Sequence, residues 1–401
     1  MIQFLALSLL FSLIEAKGWG FGGSSHSYHS YRGRGYNGNY HAHHTHTYHG
    51  GGGSGGGTIN GLYALLVFVA VFLLVCLVIC LFKKITGKVL GVNHFQDENK
   101  IKATFKSGLL YENWGKNTPK HMHSFLMDNV AIHYSPHLLS KAVLESGLFK
   151  VIEKNIDDPE SQIDSDFIFD CRGRSNRDRK LYRELINPLN AVILSTKKGK
   201  DPDLFYTKSV ATPHGWTFII PNYDSVSYGY LYNQNITSKE SAEKDFIERF
   251  NIVPDEYLNF ENYIAKNMFV GERTILNGNK LSFLEPLEAT ATAFYTDVSE
   301  VAGNIITQSD PSKKKYYNDL VQNEMNKIQN FVLWHYAIGS IYDSPFWDYA
   351  KKLSANTFKN DKEFNKVLEY SRNHSKSELW ESSYSYSQWH VNSIKNWDIV
   401  K

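Results

Sequence analysis

Residues 273–298 read RTILNGNKLSFLEPLEATATAFYTDV. Thr274-Ile275-Leu276 is a short β-type run, and Asn277-Gly278-Asn279 is a turn sequence that readily adopts positive φ. The chain then passes through Phe283-Leu284-Glu285-Pro286-Leu287-Glu288 into a helix expected from Ala289. A glycine in such a turn lets backbone approach a ligand closely, and the start of a helix offers free N–H groups to an anion. Glu288, a carboxylate just ahead of that helix, is placed for chemistry. Taken alone, the same pattern also describes an ordinary strand–turn–helix corner.

Three other segments change the reading. Residues 164–174 are DSDFIFDCRGR, a strand that ends at Asp170-Cys171-Arg172-Gly173-Arg174. Residues 214–221, HGWTFIIP, alternate as a strand and stop at Pro221. Residues 331–347 are FVLWHYAIGSIYDSPFW. With the stretch at 273–298, these segments resemble, in sequence order, four signatures of the flavin-dependent tryptophan halogenase family: D-C-x-G-R, W-x-W-x-I-P, G-N-x-x-x-F-x-E-P-L-E, and a helical H-Y followed by D-x-x-F-W. In the third position of the W-x-W motif this chain carries Phe218. The resemblance covers about the last two-thirds of the chain.

The resemblance implies a mixed α/β (α+β) fold, FAD as cofactor, and halogenation or monooxygenation of an indole-like aromatic. A halide and a flavin reductase are the implied partners. In the resembled enzymes reduced FAD and O₂ oxidise the halide to hypohalous acid, which reaches the indole through a tunnel. By resemblance Glu288 is the catalytic carboxylate, and Thr290 and Ala291 face the halide. Asp170, Gly173, Gly278, Asn279 and Thr292 lie by the flavin. Trp216, Phe218 and Pro221 lie near the tunnel. The family's dinucleotide loop, G-x-G-x-x-G after an N-terminal strand, has no match here, so the expected unit, over 121–401, is an incomplete latter part of the halogenase fold, inactive unless Ile85–Lys120 or exchange in a homodimer rebuilds the flavin pocket. The alternative is a non-catalytic single-span protein whose cytosolic domain binds a partner or an aromatic small molecule.

The N-terminal third reads differently. Residues 1–16, MIQFLALSLLFSLIEA, have the apolar centre and small terminal residue of a signal peptide. Residues 17–60 are rich in Gly, His, Tyr and Ser, cannot bury enough apolar surface to order, and are expected to be disordered. Seven histidines cluster there (His26, His29, His41, His43, His44, His46 and His49), but their spacing matches no structural metal site, and adventitious metal binding is the expectation. Leu62–Phe82 is an apolar run of 21 residues without a charge, the length of a membrane span. Lys83, Lys84 and Lys88 follow, which places the C-terminal side in the cytosol and makes the chain a single-pass type I protein. Residues 83–120 read as a linker.

Lys and Arg number 43 against 41 Asp and Glu, a net charge of +2 that gives no nucleic-acid footprint. Cys171 is the one cysteine outside the apolar run and reads as a small buried hydrophobe beside a turn. Helices are expected over 137–148, 238–250 with Ser238 as N-cap, and 315–336; strands over 149–153, 167–169, 216–221 and 228–232. His335 reads as a satisfied helix-face histidine, and Trp380, Trp389 and Trp397 as caps on the core.

Overall fold

A computed structural model describes residues 104–116, 122–123 and 131–399, apart from 107–108 and isolated positions at 149, 175, 202–203, 205 and 309–310. The segments read as signal peptide, Gly/His tract and membrane span lie outside the described residues. Among the described residues, no helix is long and apolar enough to cross a membrane.

The framework is a seven-stranded sheet. Its strands are β1 (Leu109–Glu112), β2 (Met122–His123), β4 (Ala191–Lys198), β5 (Thr207–Thr212), β6 (Gly215–Pro221), β7 (Ser225–Tyr232) and β8 (Glu256–Asn259); β3 (Ile168–Asp170) lies elsewhere. The spatial order is β8-β4-β7-β6-β5-β1-β2, antiparallel throughout except where β1 runs parallel to β5. Part of the stretch read as a linker is therefore inside the sheet: Leu110 of β1 pairs with Lys208, and Leu109 and Tyr111 belong to the main core.

The period-2 alternation of the strands sorts their side chains to two faces. Leu109, Tyr111, Ala211, Trp216, Leu231 and Val192 join the main core on one face. Ala191, Ile193, Tyr230 and Tyr232 pack on the other against Ala242 and Phe246 of helix α1 (Lys239–Phe250). Ser238 caps α1, accepting from Ser241 N at 3.2 Å, and Asn251 ends it in the left-handed region, as the sequence indicates. Where β6 and β7 pair, Phe218 lies across from Gly229 and covers it: a Cβ on Gly229 would stand 2.0 Å from the Phe218 ring.

Against the main face lie helices α2 (Ala291–Gln308), α3 (Lys314–Ile338), α4 (Pro345–Phe358) and α5 (Val391–Ile399). The C-terminal half of α3 is buried all round, from Phe331 through Tyr336. Each such aliphatic or aromatic side chain contributes about 1.5–3 kcal/mol by burial. Gly339, at φ 84, ends α3. Trp114, fully buried, fastens the end of β1 to the segment after α3 through a bridge to Ser340, and to β5 through its indole N–H donated to Ser209 O at 3.2 Å.

Three expectations are corrected. Cys171, expected to be buried, is exposed where its strand gives way to the turn. Lys150–Glu153 form no strand; Val151 and Ile152 are 59% and 69% exposed, and no described strand pairs with them. The helix expected from Ala289 begins at Ala291, after a 3₁₀ turn over Leu287–Ala289. Glu288 (φ 68) and Ala289 (φ 49) stand in the left-handed region, which cannot propagate a right-handed helix.

Candidate active site

The strand β9 (Thr274–Leu276) runs parallel to β3, with Leu276 beside Asp170. Asn277 N donates to Asp170 O at 3.0 Å. The two turn motifs, well separated in sequence, thus meet at neighbouring strand ends. Gly278, at φ 55, is the left-handed residue the turn requires, and the atom nearest a Cβ there would be Cys171 Cβ at 3.6 Å. The Asn277 side chain caps Gly278 N at 2.8 Å and donates to Tyr295 O at 3.1 Å and Ser299 Oγ at 2.9 Å. Tyr295 OH donates to Ser282 O at 2.7 Å and lies 3.0 Å from Asn279 Oδ1. The turn is thereby fastened to the first turns of α2, where Thr292 sits half-buried.

The Asp170 carboxylate is buried and gripped by Arg172, whose Nε and Nη2 lie at 2.9 and 2.8 Å. Burial works against its charge, but the Arg172 bonds and the Arg172 and Lys280 charges outweigh it and hold the carboxyl below its usual range. Gly173 faces open space: a Cβ there would meet nothing within 4 Å. Asp170 and Cys171 thus stand beside the Gly278–Asn279 turn, Gly173 follows at an exposed position, and Thr292 lies in the first turn of α2.

Glu288 lies deeper. It is 6% exposed and held by donors from three parts of the chain. Tyr111 OH donates to Oε1. Trp389 Nε1 donates to Oε2 at 3.0 Å. His335 Nε2 lies 2.9 Å from Oε1, and His335 Nδ1 lies 2.8 Å from Phe331 O. A carbonyl only accepts, so Nδ1 carries a proton, and a second proton lies between Nε2 and the Glu288 carboxyl. Around this group stand aromatic rings: Trp397 is 4.2 Å from His335 and 4.6 Å from Tyr111, centre to centre. His335, read as a satisfied helix histidine, is satisfied but also bonds the candidate acid. Trp389 and Trp397 pack against the same group. The period of α3 and the C-terminal tryptophans signal burial alone, since contacts across the fold leave no mark in spacing.

The other carboxylate of the motif, Glu285, is fully buried. It accepts from Tyr336 OH at 2.7 Å, Leu287 N at 3.1 Å and Asn187 Nδ2 at 3.4 Å. Burial pushes its carboxyl up, and these bonds with the His335 charge only partly pull it back. Burial and the adjacent Glu285 charge push the Tyr336 hydroxyl far up as well.

Thr290 is buried and Ala291 exposed at the start of α2, where first-turn N–H groups lack intrahelical partners. Trp216, by contrast, is a core residue: its ring lies 6.4 Å from Trp114, which in turn lies 6.0 Å from His335. Phe218 is half-buried on the same face of β6 and 6.2 Å from Trp216. Pro221 is at the far end of β6, its carbonyl 2.8 Å from His133 Nδ1, and is not brought to Glu288. Among the described residues, no group of His, Cys, Asp and Glu is arranged to hold a metal ion.

The fold is that of solved flavin-dependent halogenases. It is similar to Xcc4156, a flavin-dependent halogenase from Xanthomonas campestris, at a TM-score of 0.62 and 17% identity over 79% of this chain and 78% of that one. It is similar also to a tryptophan halogenase from Shewanella frigidimarina at a TM-score of 0.61 and 15% identity, covering 79% and 76%. The tryptophan halogenase family model matches residues 146–391, and the chain belongs to that family. Among curated relatives, it is 21% identical over 288 residues to tryptophan 7-halogenase RebH of Lentzea aerocolonigenes, covering 63% of this chain and 53% of the relative. It is 29% identical over 150 residues to tryptophan 6-halogenase SttH of Streptomyces toxytricini, covering 35% and 28%. The chain thus spans about half the length of RebH and less of SttH.

Proposed function

We propose that the chain is an FAD-dependent halogenase acting on an indole-like aromatic, with Glu288 as the base on the substrate side. The observation that carries this reading is the Glu288–His335 pair: a buried carboxylate at a left-handed corner, with an imidazole at 2.9 Å and aromatic rings around it. Electrophilic substitution by hypohalous acid, HOX + Ar–H → Ar–X + H₂O, places positive charge on the ring and releases a ring proton. A fixed carboxylate stabilises that charge and accepts the proton. His335 holds the carboxylate in place, its own ring fixed by the Nδ1–H bond to the Phe331 carbonyl. Left-handed backbone at two successive non-glycine residues costs about 1–3 kcal/mol each and persists only where the surroundings over-determine it. Here the bonds to Glu285 and Glu288 do so.

We assign FAD to the loops of Asp170, Gly173, Gly278, Asn279 and Thr292; in support, the Asp170–Cys171 turn lies against Gly278, and Gly173 leaves its backbone exposed. When bound, the flavin supplies oxidising equivalents from O₂ to a halide. The start of α2 at Thr290 and Ala291 would face that halide. A flavin reductase is the partner that this chemistry requires.

The test is an FAD titration of the full chain in detergent, followed by halide-dependent product formation with a reductase and tryptophan or indole. Saturable flavin binding and a halogenated product that disappears in Glu288→Gln are expected. An absence of flavin binding overturns the enzyme reading and favours a domain that binds a partner or small molecule. The same reading has the domain tethered by Leu62–Phe82 on the cytosolic side of a membrane.

A further inference from the structure

The Glu288 carboxylate already binds an indole, and that indole belongs to the chain. Trp389 Nε1 donates to Oε2 at 3.0 Å. The Trp389 ring lies on Phe331 with centres 4.1 Å apart and planes 30° apart, a stacked pair. A flat aromatic platform and a carboxylate aimed at the N–H edge are the two elements that recognise an indole and discriminate it from a ring without that donor. Tyr111 and His335 occupy the other carboxylate oxygen, so Oε2 is the position for an N–H donor.

Trp389 is carried by a two-stranded ribbon, Ser385–Tyr386 paired with Trp389–His390, turned at Ser387 with φ 57. An isolated two-stranded ribbon is marginally stable by itself. Its approach, Ser383 through Ser385, is exposed. Its fixed points are Tyr386, buried against Phe364 and accepting from Asn330 at 3.2 Å, Ser387, bonded to Glu324, and His390, whose Nε2 lies 2.8 Å from Ser382 O. Tyr386 also pairs with Trp389 through the backbone, but none of these bonds uses the Trp389 side chain, so its ring can turn away from Phe331 while the ribbon holds.

We propose that Trp389 is a tethered stand-in for the substrate's indole: the indole subsite lies between Phe331 and Glu288 Oε2, and an incoming indole displaces the Trp389 side chain. The proposal rests on Glu288 being the substrate-side base. It makes the resting site self-occupied and makes selectivity for an N–H-bearing ring a property of Glu288 and Phe331.

The test uses the full chain with indole as probe and indene, which lacks the N–H, as control. Amide hydrogen exchange is followed over 382–391 with and without saturating indole. Exchange there should speed up at least severalfold on indole binding and stay unchanged with indene. Trp389→Phe keeps a ring on Phe331 but removes the competing donor, and should bind indole about tenfold tighter than the parent, the order expected for one hydrogen bond to a charged group. Matched circular dichroism and melting of the variant establish that it folds. Indole binding without faster exchange at 382–391, or equal affinity in Trp389→Phe, overturns the proposal and leaves the halogenase reading standing. Displacement without any halogenated product has the opposite meaning: the subsite exists and the enzyme reading fails.

Discussion

His335 Nε2 and Glu288 Oε1 are 2.9 Å apart, while the other ring nitrogen of His335 faces a backbone carbonyl 2.8 Å away. That carbonyl fixes the imidazole's protonation at Nδ1, so any proton exchanged with Glu288 passes through Nε2. The pair therefore behaves as one unit, and changes to either member should differ in kind.

Glu288→Gln removes the charge that would stabilise a cationic ring and accept its proton. Product formation should fall by about 10²–10⁴-fold, the usual contribution of a positioned acid or base. Flavin binding at the Asp170–Gly278 cluster should be unchanged. Product formation by quantitative mass spectrometry checks the first and flavin titration the second; undiminished product removes Glu288 from the chemistry.

His335→Leu is expected to damage the fold itself. It leaves the buried Glu288 carboxylate without its imidazole, and removing one partner of a buried pair costs about 3–5 kcal/mol. His335→Asn, which can still donate, should cost less. Chemical denaturation of both variants checks the order, and equal stabilities count against the pairing.

Gly229 and Phe218 give a packing prediction. A Cβ at Gly229 would stand 2.0 Å from the Phe218 ring, so Gly229→Ala must push that ring off the sheet. The expected destabilisation is about 1–3 kcal/mol, the range for overpacking. Phe218→Leu, by shortening the side chain, should relieve most of it in the double variant. Additive losses in a double-mutant cycle would mean the two residues do not interact.

Glu285 gives a pH dependence. Its carboxyl is pushed above the ordinary value of 4.5, burial being the largest cause. A group whose folded value is raised contributes stability that is fully present below its unfolded value and is lost as pH rises through the folded one. Wild-type stability relative to Glu285→Gln should thus be greatest near pH 4 and decline with rising pH. Melting temperatures across pH 4–8 measure the difference; parallel curves would show that Glu285 titrates normally.

Much of the loop cluster was legible in sequence because its determinants are local. Asn277-Gly278 states its own turn, and Asp170-Cys171-Arg172-Gly173 ends its own strand. The alternation of Trp216 to Pro221 gives β6, and Ser238 gives the start of α1. The left-handed pair Glu288–Ala289 was not legible, because non-glycine residues enter that region only where distant bonds hold them. Tyr111 was missed for a related reason. Its strand sits in mixed polar sequence and is recruited by a parallel partner, Thr207–Thr212, far along the chain. The roles of Trp389 and Trp397 are likewise products of packing between the C-terminus and α3.

The proposed membrane tether, and the orientation it would give the chain, can be tested with the chain's own glycosylation triplets. Asn235-Ile236-Thr237 and Asn373-His374-Ser375 match the acceptor sequence. Both asparagines are exposed, so burial would not shield them from modification in a secretory compartment. Lys83, Lys84 and Lys88, just after the apolar run, favour the cytosol for everything that follows. Expressed in a eukaryotic cell, the full chain should therefore show no glycosidase-sensitive mass at either asparagine. His41→Thr creates an acceptor at Asn39, ahead of the run, and that site should be modified. Modification at Asn235 or Asn373 would invert the orientation, placing the halogenase domain on the lumenal side, away from a cytosolic flavin reductase. Modification at none of the three, with the protein recovered in the soluble fraction, would mean that Leu62–Phe82 does not span a membrane.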